Sequence, residues 1–241
     1  MRSLEQDLHR TLAPIDGEIA VAVRVLDVPA RPLLINGHTT VHAASTMKVP
    51  VMIEVYRQAH EGRFDLDDRV RVDNVFRGLV DGRPYTLTPE NDSHAALYDH
   101  LGERRPIRSL VQKMIAASSN LATNILLDLV GTEQVTQTMR DYGAEGLRVR
   151  RGVEDLTAHR QGLDNETTAH ALMVVFERIA RRRAVSEAAA NEMIDILTQQ
   201  EHNDMIPAHL PDSVTVAHKT GWITGVRHDA GIVFVPDGPT Y

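Results

Sequence analysis

The chain has 241 residues, 42% of them apolar, 24% charged and only 4% aromatic, with a formal net charge of -7. This is an ordinary globular composition with enough chain for a substantial core, and neither the net charge nor any Lys/Arg-rich arm suggests a nucleic-acid binder. The absence of cysteine removes disulfides, thiolate nucleophiles and thiolate zinc sites together.

The first stretch, residues 2–13, places Leu4, Leu8 and Leu12 on one face of a short amphipathic helix. It has no apolar h-region, so it does not read as a signal peptide; the chain either stays inside the cell or is a trimmed, mature exported domain. No apolar run is long enough to span a membrane. Ile19 to Leu26 reads as a strand and Leu33 to Ile35, before Asn36-Gly37, as its antiparallel partner. A helix from Ser45 to about Gly62 follows. Pro50 sits late for its first turn and is expected to disturb it. Residues 71–102 form a long polar stretch without clear period, of the kind that often makes a functional rim. Further helices are expected over 107–117, 121–129, 132–142, 167–182 and 186–199, and strands over 214–218 and 230–235.

The order is strands, helices, strands. This predicts an α/β (α+β) fold: one antiparallel sheet built from the N- and C-terminal strands, plus a mostly helical lobe. We expect a single domain, with the sheet lobe at about 1–44 and 206–241 and the helical lobe at about 45–205. A cleft between lobes would gather three junctions: the start of the Ser45 helix, the loop before Leu121, and the strand around Lys219.

Each junction carries chemistry. Ser45 and Lys48 are three apart, so on a helix they share a face. A serine hydroxyl is a weak nucleophile until a base takes its proton, and a lysine is a base only when burial or a second cation lowers its pKa. A helix N-terminus favours developing negative charge beside such a serine. Alone, S-x-x-K occurs by chance in most chains of this size. Ser118, Ser119 and Asn120 are good N-cap types for the helix that follows. In HKTGW, residues 218–222, Gly221 would let a substrate lie close against the strand. Lys219 would supply a second cation to depress the pKa of Lys48 and would attract a substrate carboxylate. The twelve histidines are scattered and include no H-E-x-x-H; His218 and His228 read as structural, and no metal or organic cofactor is expected.

The order and spacing of these motifs are specific. S-x-x-K, then S-x-N 73 positions after Ser45, then K-T-G 101 positions after Ser118, is the pattern of penicillin-recognising serine acyl-enzymes. Through STMKVP, MIAASSNLATNILLD and HKTGWITGVRHDAGIVFVP, the chain resembles class A β-lactamases and β-lactamase-related serine hydrolases from about residue 15 to its end. The resemblance implies a β-lactamase/transpeptidase-like fold and two-step acyl transfer on a small-molecule substrate. In that reading Ser45 is the acylated nucleophile and Lys48 the general base, or part of a base relay. Ser118 shuttles a proton to the leaving nitrogen, and Asn120 contacts the substrate amide. Lys219, Thr220 and Arg227 bind the carboxylate, and the N–H groups of Ser45 and Trp222 form the oxyanion hole.

The chain departs from the family in three places. Class A enzymes hold the hydrolytic water with a glutamate and an asparagine four residues later. Here Glu154 is the candidate base, with Asp155 as fallback, but Ala158 stands where the asparagine belongs. The rim from Phe76 to Glu103 is enlarged, with Tyr85 or Tyr98 positioned to cover the site, and Trp222 replaces a small residue. The resemblance also implies one more strand and a final helix after Tyr241; either the chain is truncated or those elements are supplied another way. Two activities compete: a β-lactam hydrolase working through Ser45, and a related esterase or D-alanyl peptidase-like hydrolase with slow β-lactam turnover. A ligand-binding relative without catalysis is disfavoured by the intact Ser45, Lys48, Ser118 and Lys219 set.

Overall fold

The computed structural model describes residues 4–241. Helix α1 is Leu4–Leu12; the first two residues of the expected helix lie outside the described residues. Strands β1 (Val21–Val23) and β2 (Leu33–Ile35) pair antiparallel, with Ala22 opposite Leu34. Strand β3 (Val41–His42) leads into a 3-10 turn, Ala44–Met47, and then helix α2, Lys48–His60.

Helix α2 is central. Val49, Val51, Met52, Ile53 and Val55 are fully buried, and a helix apolar on most of its circumference can only sit inside a core. Its one buried acid, Glu54, is satisfied by Arg57, Gln58 and the Thr138 hydroxyl, at 2.6–2.8 Å. Pro50 does not disturb the helix as expected. The 3-10 turn carries the chain past Ser45, so α2 begins at Lys48 and Pro50 falls in its first turn, where a missing N–H costs little.

The long polar stretch folds as a rim of short pieces: β4 (Arg69–Arg71), β5 (Phe76–Arg77), β6 (Pro84–Tyr85), 3-10 turns at Pro89–Asn91 and Ala95–His100, and β7, Arg104–Pro106. β4 pairs with β7 and β5 with β6, both antiparallel. Helices α3 (Ile107–Ala116), α4 (Asn120–Val130) and α5 (Thr132–Asp141) pack around α2. A short helix α6, Leu156–Arg160, and strand β8, Glu166–Thr167, precede α7 (Ala169–Ala180) and α8 (Glu187–Leu197). Ser119, Asp155, Thr168 and Ser186 each accept a backbone N–H at the start of their helices, as N-cap residues do.

After a 3-10 turn, Ile206–His209, strands β9 (Thr215–Ile223) and β10 (Val226–Phe234) form a nine-residue antiparallel hairpin. The N- and C-terminal strands are thus antiparallel hairpins, β1–β2 and β9–β10, rather than one continuous ladder. They are joined by the Leu26 N–H on the Thr240 carbonyl at 2.8 Å, with Val233 and Tyr241 exchanging both backbone bonds. Helix α7 packs on both β1 and β10. Among the described residues, no helix is long and apolar enough to cross a membrane.

Candidate active site

The site begins with a close backbone contact. Strand β9 crosses the 3-10 turn at Gly221, where a Cβ would lie 2.8 Å from the Ser45 nitrogen and 2.9 Å from that of Thr46. No side chain fits in that gap, so glycine is what lets the strand approach the turn. Ala44, just before Ser45, has φ +45°. A residue with a Cβ in this region costs about 1 kcal/mol or more and is held there by its surroundings. One restraint is the Ala44 N–H, which donates to His42 Nδ1 at 2.9 Å.

Lys48 is fully buried. Its Nζ donates to the Ser118 carbonyl (2.7 Å), to Ser118 Oγ (3.1 Å) and to Asn120 Oδ1 (2.8 Å). Its hydrogen bonds therefore run to the S-x-N segment and not to Ser45. Burial lowers its pKa to about 7, opposed by Asp92 and Glu154. Lys219 is also fully buried and lowered well below the ordinary lysine value, first by burial and then by repulsion from Lys48. Burial is the largest cause at both amines, and the repulsion between two such cations belongs to the pair.

The S-x-N segment is held from both sides. Ser118 has φ +60° and is buried. Asn120 donates to the Asn91 carbonyl at 3.2 Å while accepting from Lys48. Asp92, which sequence reasoning missed, lies beneath this segment. It accepts the Leu121 N–H (2.8 Å), the Ser119 hydroxyl (3.3 Å) and the Tyr98 hydroxyl (3.3 Å). Locally it reads only as an acid in a polar loop; its partners lie far along the chain.

Glu154 has φ +63° and is half-buried. Burial and Asp92 raise its pKa, while a hydrogen bond to Asn120 and the charge of Lys48 lower it. It therefore shares the electrostatic environment of Lys48. The fallback Asp155 is used otherwise: it caps α6 at Ala158 N (3.1 Å) and accepts the Leu79 N–H (2.7 Å). Ala158 is buried in α6 and has no polar side-chain atom to orient water. The segment is closed at its base by Arg151 on Asp164 (2.7 Å) and by Asn165, which accepts from Arg150 N (2.8 Å) and Arg151 N (3.1 Å).

At the C-terminal end of β9, a groove of about 840 Å³ is lined by Asn203, Asp204, Thr220, Gly221, Trp222 and Arg227 among others. Trp222 is 73% exposed at its edge. Arg227 stands opposite Trp222 in the ladder and pairs with Asp204. His218 is buried between Asp229 (2.9 Å) and Asn203 (2.9 Å), and His228 Nε2 bonds the His42 carbonyl at 2.8 Å. Both histidines brace the strands. Tyr85 is fixed by Asn124 at 3.2 Å, and Tyr98 by Asp92.

Comparison with known proteins supplies the family and the fold. The family model described as "Beta-lactamase enzyme family" matches residues 3–241. Extended-spectrum β-lactamase PER-1 of Pseudomonas aeruginosa is 24% identical over 219 residues, covering 86% of this chain and 67% of PER-1. The β-lactamase of Sphaerobacter thermophilus DSM 20745 superposes with a TM-score of 0.80 at 25% identity, over 98% of this chain and 85% of that one. PBP-A superposes equally well, at 0.80 and 25%, over 98% and 83%, and a mutant of it has been captured as an acyl-enzyme complex with penicillin G. The chain belongs to the β-lactamase enzyme family and is a serine hydrolase of that type.

Proposed function

We propose that this protein opens β-lactam rings through an acyl-enzyme on Ser45. The observation that carries the reading is the buried Lys48, with its pKa near 7, bonded to Ser118 and Asn120 one turn behind Ser45. A neutral amine at this position accepts the Ser45 proton, directly or through Ser118 Oγ, as Ser45 Oγ attacks the ring carbonyl. The N–H groups of Ser45 and Trp222 stabilise the oxyanion. The C–N bond breaks, Ser118 gives its proton to the leaving nitrogen, and the Lys48 ammonium restores it. Lys219, Thr220 and Arg227 take the substrate carboxylate at the groove edge. In the second step Glu154 removes a proton from water as the oxygen attacks the ester carbonyl; the carbonyl C–Oγ bond then breaks, and the proton passes from Glu154 back to Ser45 Oγ, restoring both groups. Burial strengthens Glu154 as a base. The penicillin acyl-enzyme of the structurally similar PBP-A mutant supports the first step.

One observation favours a second reading, a penicillin-binding or peptidase-like role with slow release. Ala158 offers no amide, and Asn124 is already engaged with Tyr85 and Val153. Water at Glu154 is then held by one carboxylate, and orientation governs such a step strongly.

The test is an intact-mass time course with a chromogenic cephalosporin, reading absorbance in parallel. Rapid colour without a lasting adduct supports hydrolysis. A persistent stoichiometric adduct on Ser45 supports the second reading. Neither colour nor adduct overturns both.

A further inference from the structure

We propose that His42 is a positioning residue for Ser45: its neutral imidazole holds the turn that presents the nucleophile and ties that turn to the 151–165 segment. The proposal rests on the reading of Ser45 as the nucleophile.

The hydrogen bonds assign the tautomer. The Ala44 N–H donates to Nδ1, so Nδ1 carries the lone pair and Nε2 carries the proton. Nε2 faces Asp164 Oδ1 at 3.5 Å and the Arg151 guanidinium at 3.4 Å. Both ring nitrogens face a donor and a neutral ring accepts at only one; the 2.9 Å Ala44 bond is shorter than the 3.4 Å Arg151 approach and takes the lone pair, which leaves the Nε2 proton to Asp164, the acceptor there. His42 thus stands between two structures that must agree. One is the left-handed Ala44, directly before Ser45. The other is the ion pair that closes the segment carrying Glu154. The backbone of His42 is fixed as well: it pairs with Glu166 in the β3–β8 ladder, and its carbonyl accepts from His228.

Protonation would undo the arrangement. An imidazolium presents Nδ1–H to the Ala44 N–H, two donors face to face, and the turn loses its acceptor. The surroundings oppose that protonation. Burial lowers the pKa of His42, and Arg151, His159 and His228 lower it further. Asp164 favours the charged ring but already serves Arg151 at 2.7 Å and His159 at 2.8 Å. The carboxylate of Glu166 is occupied by Arg150 and Arg148. Neutral His42 is therefore the working form. At acid pH two protonations suppress acylation, one on Lys48 and a second, at lower pH, on His42.

The experiment measures the rate of Ser45 labelling by a fluorescent penicillin from pH 5 to 9, in the wild-type protein, His42→Ala and His42→Asn. An asparagine Oδ1 can occupy the place of Nδ1 and accepts at every pH. His42→Ala is expected to slow labelling about tenfold or more at pH 7.5, by misplacing the nucleophile. His42→Asn is expected to recover most of that loss. In acid its rate should fall with one proton where the wild type falls with two. Labelling of His42→Ala at the wild-type rate overturns the proposal. So does a His42→Asn as slow as His42→Ala with an unchanged acid slope. If the variants do not fold, the imidazole nitrogen spectrum of the wild type decides: an Nε2–H tautomer supports the proposal and an Nδ1–H tautomer overturns it. Absence of any Ser45 adduct in the wild type overturns the functional reading and the kinetic claim together, while that spectrum still reports the Ala44 bond separately.

Discussion

Asp92 Oδ2 accepts the backbone N–H of Leu121 at 2.8 Å, so a carboxylate from the rim loop anchors the start of α4 behind the S-x-N segment. The same carboxylate raises the pKa of both Lys48 and Glu154. Asp92→Asn keeps one acceptor and removes the charge. Lys48 then loses a stabilising anion, its pKa falls, and the acid limb of acylation moves to lower pH. Weakening the buried bonds costs about 1–2 kcal/mol. Labelling rate against pH and thermal melting of the variant check both parts.

Acylation should follow the titration of Lys48. Its amine is the base only when neutral, so the labelling rate is expected to rise with pH through about 7 and level off above. Stability carries the opposite face of this arrangement. The unfolded chain binds the Lys48 proton below 10.5 and the folded chain only below about 7. The unfolded state thus holds more protons between those values, and this group costs on the order of 5 kcal/mol at pH 7 and below, relief coming as pH rises toward 10.5. Lys48→Met is expected to abolish labelling and to raise stability at pH 7 by about 2 kcal/mol, part of the gain being offset by the anions left unpaired. Denaturant titration at pH 7 and pH 10 tests the sign.

Glu154→Gln should separate the two chemical steps. Labelling persists and release slows by about a hundredfold or more, so the adduct accumulates in intact mass. Because burial and Asp92 raise the Glu154 pKa, the acid limb of release in the unmodified protein should lie above the usual glutamate range. A release rate unchanged in the variant removes Glu154 from the mechanism.

Gly221→Ala tests the backbone contact. The added methyl would meet the Ser45 and Thr46 nitrogens at 2.8 and 2.9 Å, so strand and turn must separate. We expect a loss of about 2 kcal/mol and a larger proportional loss of labelling, since the Ser45 and Trp222 N–H groups move apart. Melting and labelling on one preparation check this.

Much of this was legible in the sequence, for a physical reason. The long helices announced themselves through apolar periodicity, Ser119 was among the cap types read before α4, and β2 was found to the residue. The three motifs could be placed at junctions because the hydrophobic pattern changes there. What stayed hidden depends on contacts between distant segments. Nothing near Asp92 points to Leu121, and nothing near His42 points to Asp164. The short helix α6 and the β3–β8 pair are too brief to leave a period. Pro50 was misread because a 3-10 turn shifts the helix start by a few residues, which no local propensity reveals.

The closure of residues 151–165 has a consequence for how such a molecule changes over generations. Arg151, Asp164 and Asn165 fasten the two ends of this segment to each other, so its interior can be lengthened, shortened or rewritten at small entropic cost without moving the frame. The residues proposed to attack the substrate lie outside that clasp: Ser45 on the 3-10 turn, Lys48 at the start of α2, Ser118 just before α4 and Lys219 on β9. On the proposed roles, changes inside the clasp would bear mainly on how long an acyl group is held, and a trap and a hydrolase would differ chiefly in this one exchangeable cassette.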